Sequence, residues 1–219
     1  MKAGYSVTVH NRSAGPMEEL GAEGAIPVDS PRAVAEKVDI VITMLPDSPD
    51  VEAVMRGENG VFAGAHAGSI VIDMSTISPV VSREVSAAFA EAGRIMLDAP
   101  VSGSPVTVRN GQASVMVGGD SEAYERVRPV LLDIGPKVAY IGASGLAVQT
   151  KLSVNLLLMA EVIAFGEAVA LAEKGGVDRA AVVDAILSSV AASPVLGYRG
   201  PFILEGNMPA KPLADVTLQ

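Results

Sequence analysis

Cysteine and tryptophan are absent from this 219-residue chain, and histidine occurs only twice. Without cysteine there are no disulfides, no zinc–thiolate sites and no thiol nucleophile. Aromatic residues make up 4% of the sequence, too few for a platform that stacks bases. His10 and His66 stand apart with no ligand spacing around them, so no metal site is expected. Positive charge is also short: 16 Lys and Arg face 25 Asp and Glu, a formal charge of −9 with a pI near 4.7. That balance repels a phosphate backbone and argues against nucleic-acid binding, while leaving room for one local basic pocket. The Gly-x-Gly-x-x-Gly fingerprint that follows the first strand of a dinucleotide-binding sheet is missing too.

What is present is an ordinary globular composition, 49% hydrophobic and 19% charged, enough for one large domain or two small ones. The mean hydropathy of +0.39 calls for a check on membrane spans. The longest apolar stretch, residues 146–172, is broken by Lys151, Asn155, Glu161 and Glu167 and reads as a buried helix, with no membrane association. Met-Lys-Ala-Gly-Tyr at the start lacks the apolar core of a signal peptide, so the expected location is cytoplasmic.

Tyr5-Ser-Val-Thr-Val-His10 alternates with period two and predicts a strand. Asp39-Ile-Val-Ile-Thr-Met-Leu45 and Ser69-Ile-Val-Ile-Asp-Met74 are nearly continuous apolar runs, the signature of parallel strands covered on both faces. Further strands are expected at 94–98, 113–117 and 137–141, with helices at 32–37, 49–56, 79–92 and 121–132 between them. This alternation predicts βαβ units and an α/β, mostly parallel, doubly wound sheet. After Gly145 strand signals stop. A long helix is predicted over 146–174 and another over 178–190, whereas 191–219 has weak periodicity. The expected division is therefore 1–145, a partial nucleotide-binding domain, and 146–219, a long helix opening an all-helical domain. Lys2-Ala-Gly-Tyr5 reads as the end of a helix entering a second strand, so the first strand and its phosphate loop are expected to be missing.

In open α/β sheets ligands bind beyond the carboxyl ends of the strands. Those ends carry His10-Asn-Arg-Ser13, Met44-Leu-Pro46, Asp73-Met-Ser-Thr76, Asp98-Ala-Pro-Val-Ser-Gly103 and Gly142-Ala-Ser-Gly145. After the second strand an NAD site offers an acid to the ribose, but here Asn11-Arg12 stands instead. A guanidinium suits a 2′-phosphate, and a solvated surface arginine is the plain alternative. Lys151 lies early in an apolar helix with Asn155 one turn on, a polar pair beside a glycine turn; the plain alternative is a lysine at an exposed helix start.

Together these residues resemble the β-hydroxyacid dehydrogenases, the group of 3-hydroxyisobutyrate dehydrogenase, tartronate semialdehyde (2-hydroxy-3-oxopropionate) reductase and the glyoxylate/succinic semialdehyde reductases. Asp98-Ala-Pro-Val-Ser-Gly103 is similar to the substrate signature, Gly142-x-x-Gly145 with Lys151 and Asn155 to the catalytic segment, and Met44-Leu-Pro46 and Asp73-Met-Ser-Thr-Ile-Ser-Pro79 to the cofactor loops. The resemblance implies a Rossmann-type domain, an interdomain helix and a helical domain that usually makes dimers or tetramers. It implies Lys151 as general acid/base. Ser102, Gly103 and Asn155 become contacts for a small carboxylate-bearing substrate, with Met44, Leu45, Pro46 and Thr76 at the cofactor. Asn11 and Arg12 match the members that prefer NADP, with NAD the other choice.

The sequence also departs from the pattern. Ala147 stands where another Gly is usual, Val154-Asn155 replaces Asn-Asn, and Ser104-Pro105 follows Gly103, closer to the glyoxylate-type reductases. The chain ends at Leu218-Gln219, where the family continues, and so reads as the middle of a longer enzyme. The expected function is NADP-preferring interconversion of a small β-hydroxy acid and its semialdehyde. The alternatives are an inactive fragment or noncatalytic interaction module, and an imine-reducing relative, which Lys151 disfavours because such relatives usually replace the lysine.

Overall fold

A computed structural model describes residues 1–103 and 105–206. The Ser104-Pro105 departure and the Leu218-Gln219 end lie outside the described residues, Pro105 by its side chain. Two compact units divide the chain, Met1–Lys151 and a second that begins at Leu152.

The first unit runs β1 (Thr8–Val9), α1 (Ala14–Ala22), β2 (Ile26–Pro27), α2 (Pro31–Ala35), β3 (Ile40–Thr43), α3 (Ser48–Arg56), α4 (Val61–Gly64), β4 (Ile70–Asp73), α5 (Pro79–Glu91), β5 (Ile95–Asp98), β6 (Val101–Ser102), α6 (Pro105–Arg109), β7 (Ser114–Gly118), α7 (Ser121–Ile134) and β8 (Lys137–Gly142). Local signals start the helices. Ser30 accepts the Ala33 N–H ahead of Pro31, Asp47 accepts from Asp50, and Asp120 accepts from Ala123.

Strands β3, β4 and β5 are parallel neighbours, in register Ile40↔Ile70 and Ile70↔Ile95. Strand β7 is antiparallel to β5 and β6 and parallel to β8. Strands β1 and β2 form a separate parallel pair. Among the described residues, β1 is hydrogen-bonded to no strand but β2, and β3 to none but β4. The sheet is therefore in two pieces.

The pleat explains the apolar runs. Ile70, Ile72, Leu97, Val115 and Val117 share one core with Tyr124, Val127 and Leu131 of α7. Val41, Val71 and Met96 share the other with Val51 and Met55 of α3 and Val85 and Phe89 of α5. Successive residues of β4 thus enter opposite cores, and every residue of that strand is buried.

Helix α8 (Leu146–Lys174) belongs to the first unit through Lys151 and to the second beyond it. In the second unit, α9 (Arg179–Leu187) and α10 (Pro194–Glu205) follow. Phe165 and Val169 of α8 make a small core with Val183 and Leu196. Asp178 caps α9, and Ser193 caps α10 while donating to Glu161 Oε2 at 2.8 Å. Helix α10 falls in the stretch of weak periodicity because Gly197, Gly200 and Pro201 interrupt it.

The expectation that residues 146–172 form a buried helix is corrected. Its apolar window is long enough to cross a membrane, and only 11% of that window is buried. Leu156, Leu157, Ile163 and Leu171 are 62–75% exposed. The helix is apolar on every side, but α9 and α10 cover only the stripe of Phe165 and Val169.

Candidate active site

The carboxyl ends of β3, β4 and β5 carry one polar network. Asp73 Oδ1 accepts from Thr43 Oγ1 at 2.9 Å, from Ser75 Oγ at 2.6 Å and from the Ser75 N–H at 3.2 Å. Ser75 Oγ in turn accepts the Leu45 N–H at 2.9 Å. One buried carboxyl group thereby ties the Met44-Leu-Pro46 loop to the Asp73–Thr76 loop. Leu45 and Thr76 are partly buried, Pro46 is exposed, and Met44 is 66% exposed, an apolar side chain held at the sheet's carboxyl edge.

Burial raises the Asp73 pKa above its ordinary value, against the hydrogen bonds from Ser75 and Thr43 that lower it; the neighbouring Asp98 also raises it. Asp73 Oδ2 is buried without a partner, so no hydrogen bond offsets the burial of a charge on that oxygen. Folded protein then holds a proton that unfolded protein releases near pH 4, so stability falls as pH rises from there through the raised value. An Asp73→Asn variant removes this dependence. In urea denaturation between pH 4 and 8, its stability relative to the parent is expected to improve steadily with pH. A difference that stays flat would show that Asp73 ionises normally.

Asp98 is buried at the end of β5. Its Oδ1 accepts the Gly145 N–H at 2.8 Å and its Oδ2 the Val148 N–H at 3.0 Å. The Gly142–Gly145 turn is also fastened by Ser144 Oγ on Ser86 Oγ at 3.0 Å and by the Gly119 N–H on the Gly142 carbonyl at 2.8 Å. From this turn α8 runs to Lys151, which is 8% exposed. Burial lowers the Lys151 pKa by making its charged form costly. Asn155 lies one helical turn further on, in the second unit, partly buried.

Ser102 and Gly103 follow Asp98 through β6. Val101 and Ser102 pair with Val115 and Ser114, and the Pro100 carbonyl accepts the Met116 N–H at 3.2 Å. Antiparallel alternation then directs the Ser102 N–H into the ladder with β7. The Ser102 amide is therefore taken up within the sheet. Gly103 has φ +150°, and a Cβ there would stand 3.2 Å from Thr107 Cβ, so the turn requires glycine.

Asn11 and Arg12 lie beyond β1, both exposed. Asn11 Nδ2 donates to the Ser13 carbonyl at 3.1 Å. Arg12 Nη1 is 3.9 Å from Asp50 Oδ1, with the arginine side chain 88% exposed. A pair that long and wet contributes little and leaves the guanidinium fork open to a ligand. The structure thus joins Leu45 to Ser75, and the Asp98 strand end to the helix of Lys151. The roles of Asp73 and Asp98 were not drawn from the sequence. The available signal was an acid at the end of each buried strand, where apolar burial demands a partner.

Two family models match this chain. Residues 1–142 match the NAD binding domain of 6-phosphogluconate dehydrogenase, and residues 145–218 match the NAD-binding domain of NADP-dependent 3-hydroxyisobutyrate dehydrogenase. The 2-hydroxy-3-oxopropionate reductase of Escherichia coli is 36% identical over 200 residues, 91% of this chain and 68% of that protein. The chain belongs to the β-hydroxyacid dehydrogenase family. Two other members extend the likeness. The 3-hydroxyisobutyrate dehydrogenase of Pseudomonas aeruginosa is 34% identical over 98% of this chain and 72% of its own length. A 3-hydroxyisobutyrate dehydrogenase of Mycobacterium tuberculosis, solved with L-serine, superposes with a TM-score of 0.83 at 32% identity, over 98% of this chain and 72% of that one. This β-hydroxyacid dehydrogenase is an oxidoreductase that uses a nicotinamide cofactor, with a Rossmann-like part followed by a helical region.

Proposed function

We propose that this enzyme interconverts a small β-hydroxy acid and its semialdehyde with NADP as the preferred cofactor, and that Lys151 is its general acid/base. The observation that carries the proposal is Lys151 itself: a buried lysine of lowered pKa, six residues beyond a turn fixed to the carboxyl end of the sheet. The residues fit a dinucleotide. The exposed Arg12 fork can take a 2′-phosphate, and the loop pair joined through Ser75 and Leu45 presents the apolar Met44 and the hydroxyl of Thr76. When bound, the nicotinamide supplies or accepts hydride.

The chain's own residues do the rest. In reduction the Lys151 ammonium donates its proton to the carbonyl oxygen as negative charge develops there. In oxidation the neutral amine takes the hydroxyl proton. A lowered pKa makes the neutral amine more accessible than it is in a free lysine. The Ser102 hydroxyl and the Gly103 amide hold the substrate carboxylate, and Asn155, one turn from Lys151, orients the substrate. The proposal includes a second copy of the chain over the exposed apolar side of α8, which light scattering of the purified protein checks.

Cofactor preference is tested with Arg12→Ala. A charge-assisted pair of bonds to phosphate contributes about 1.5–3 kcal/mol, so NADPH binding is expected to weaken roughly 10- to 150-fold, with NADH binding within about twofold. Equal losses for both cofactors would remove the 2′-phosphate from the proposal. Substrate class is tested by cofactor oxidation with short semialdehyde acids beside the same aldehydes lacking the carboxylate; equal turnover of the two sets would refute it.

A further inference from the structure

Helix α8 begins without a cap of its own. Gly145, which precedes its first residue, has φ +82° and no side chain to accept a bond. Helix starts leave N–H groups that need acceptors, and a capping box usually supplies two from within the first turn. Here both come from one residue 47 positions earlier: Asp98 Oδ1 takes the Gly145 N–H and Asp98 Oδ2 the Val148 N–H. Space for this reach is made across the sheet. Gly118 pairs with Asp98, and a Cβ on Gly118 would lie 2.6 Å from Asp98 Oδ1. The next catalytic candidate on the helix is Lys151, one residue short of a full turn beyond Val148.

We propose that Asp98 is a positioning residue for Lys151: its carboxylate, acting as a remote cap, fixes the start of α8 on β5 and so holds the lysine in its buried place. This rests on the assignment of Lys151 as the acid/base, but its signature is separate from turnover. A backbone ladder alone could not do this, because α8 shares no strand pairing with β5. A local cap would fix the shape of the first turn without fixing where it sits. A carboxylate that belongs to the sheet does both, and its negative charge also complements the positive end of the helix.

The test reads two quantities in Asp98→Ala, Asp98→Asn and the parent protein. Amide hydrogen exchange at Gly145 and Val148 reports the cap, and the pH midpoint of Lys151 acylation, followed by mass spectrometry, reports the lysine's surroundings. In Asp98→Ala both amides are expected to exchange at least about tenfold faster, and the Lys151 midpoint to rise toward the ordinary lysine value of about 10.4 as water reaches the ammonium. Asp98→Asn keeps one acceptor and should fall between. If the Asp98 variants do not fold, Gly118→Ala displaces the carboxylate while keeping its charge, and the same two changes are expected. Opened amides with an unmoved Lys151 midpoint would make Asp98 merely a structural cap and overturn the proposal; so would amides that stay protected. Turnover of Lys151→Ala judges the acid/base assignment independently, so the two failures are distinguishable.

Discussion

Replacing Lys151 by alanine is expected to lower kcat for semialdehyde reduction by about 10²- to 10⁴-fold, the range that a positioned acid/base supplies. Cofactor affinity should hold within about twofold, because the proposed cofactor contacts lie at Arg12, Met44–Pro46 and Thr76. The variant is not expected to lose stability. A buried lysine of lowered pKa opposes folding at every pH below about 10.4: the cost is full below the lowered value, where the buried group carries its charge, and fades between that value and about 10.4. Folded-state stability therefore rises with pH across that window, and alanine removes the dependence. Lys151→Arg refines the test. Guanidinium keeps the charge but cannot give up its proton near neutrality, so reduction and oxidation should both fall despite the retained charge. Stopped-flow turnover in both directions checks this. Lys151→Ala turnover within about threefold of the parent would end the assignment.

The second large effect is on stability. Phe89 on α5 is fully buried, with its ring edge-on to Phe62 at 5.2 Å and 88°. The Phe89→Ala variant should lose about 3–5 kcal/mol in chemical denaturation, including about 0.5–1.5 kcal/mol for the aromatic pair. Phe62 is only partly buried and carries the Arg94 guanidinium 4.4 Å from its ring centre, so Phe62→Ala should lose less. The consequence reaches the site, since α5 directly follows the loop that holds Ser75 and Thr76. A Phe89→Ala loss below about 1.5 kcal/mol would mean that the core collapses around the gap.

Much of this was legible in the sequence, for identifiable reasons. The runs at 39–45 and 69–74 showed β3 and β4 because parallel strands between two helical layers must be apolar on both faces. Helix α8 was legible over its full length, yet its exposure was not: an all-round apolar helix has no polar stripe to mark the side that stays uncovered. Strands β2 and β6 escaped notice because two residues carry no period. Within the site, Lys151, Arg12 and the loop motifs stood out as residue types. The hydrogen bonds of Asp73 and Asp98 did not, because each joins residues up to 50 positions apart that only the folded sheet brings together.

That span has a kinetic side. Helix α8 is long enough to grow from its own middle as a local event, on the microsecond scale of helix formation. Its first turn is different. Closing it on Asp98 must wait until β5 has found its neighbours, a contact of large sequence separation whose loop entropy is lost before the bond is gained. The segment that carries Lys151 is therefore expected to lock among the last events of folding, after the sheet, so that a chain acquires its reactive lysine only once its scaffold is already formed.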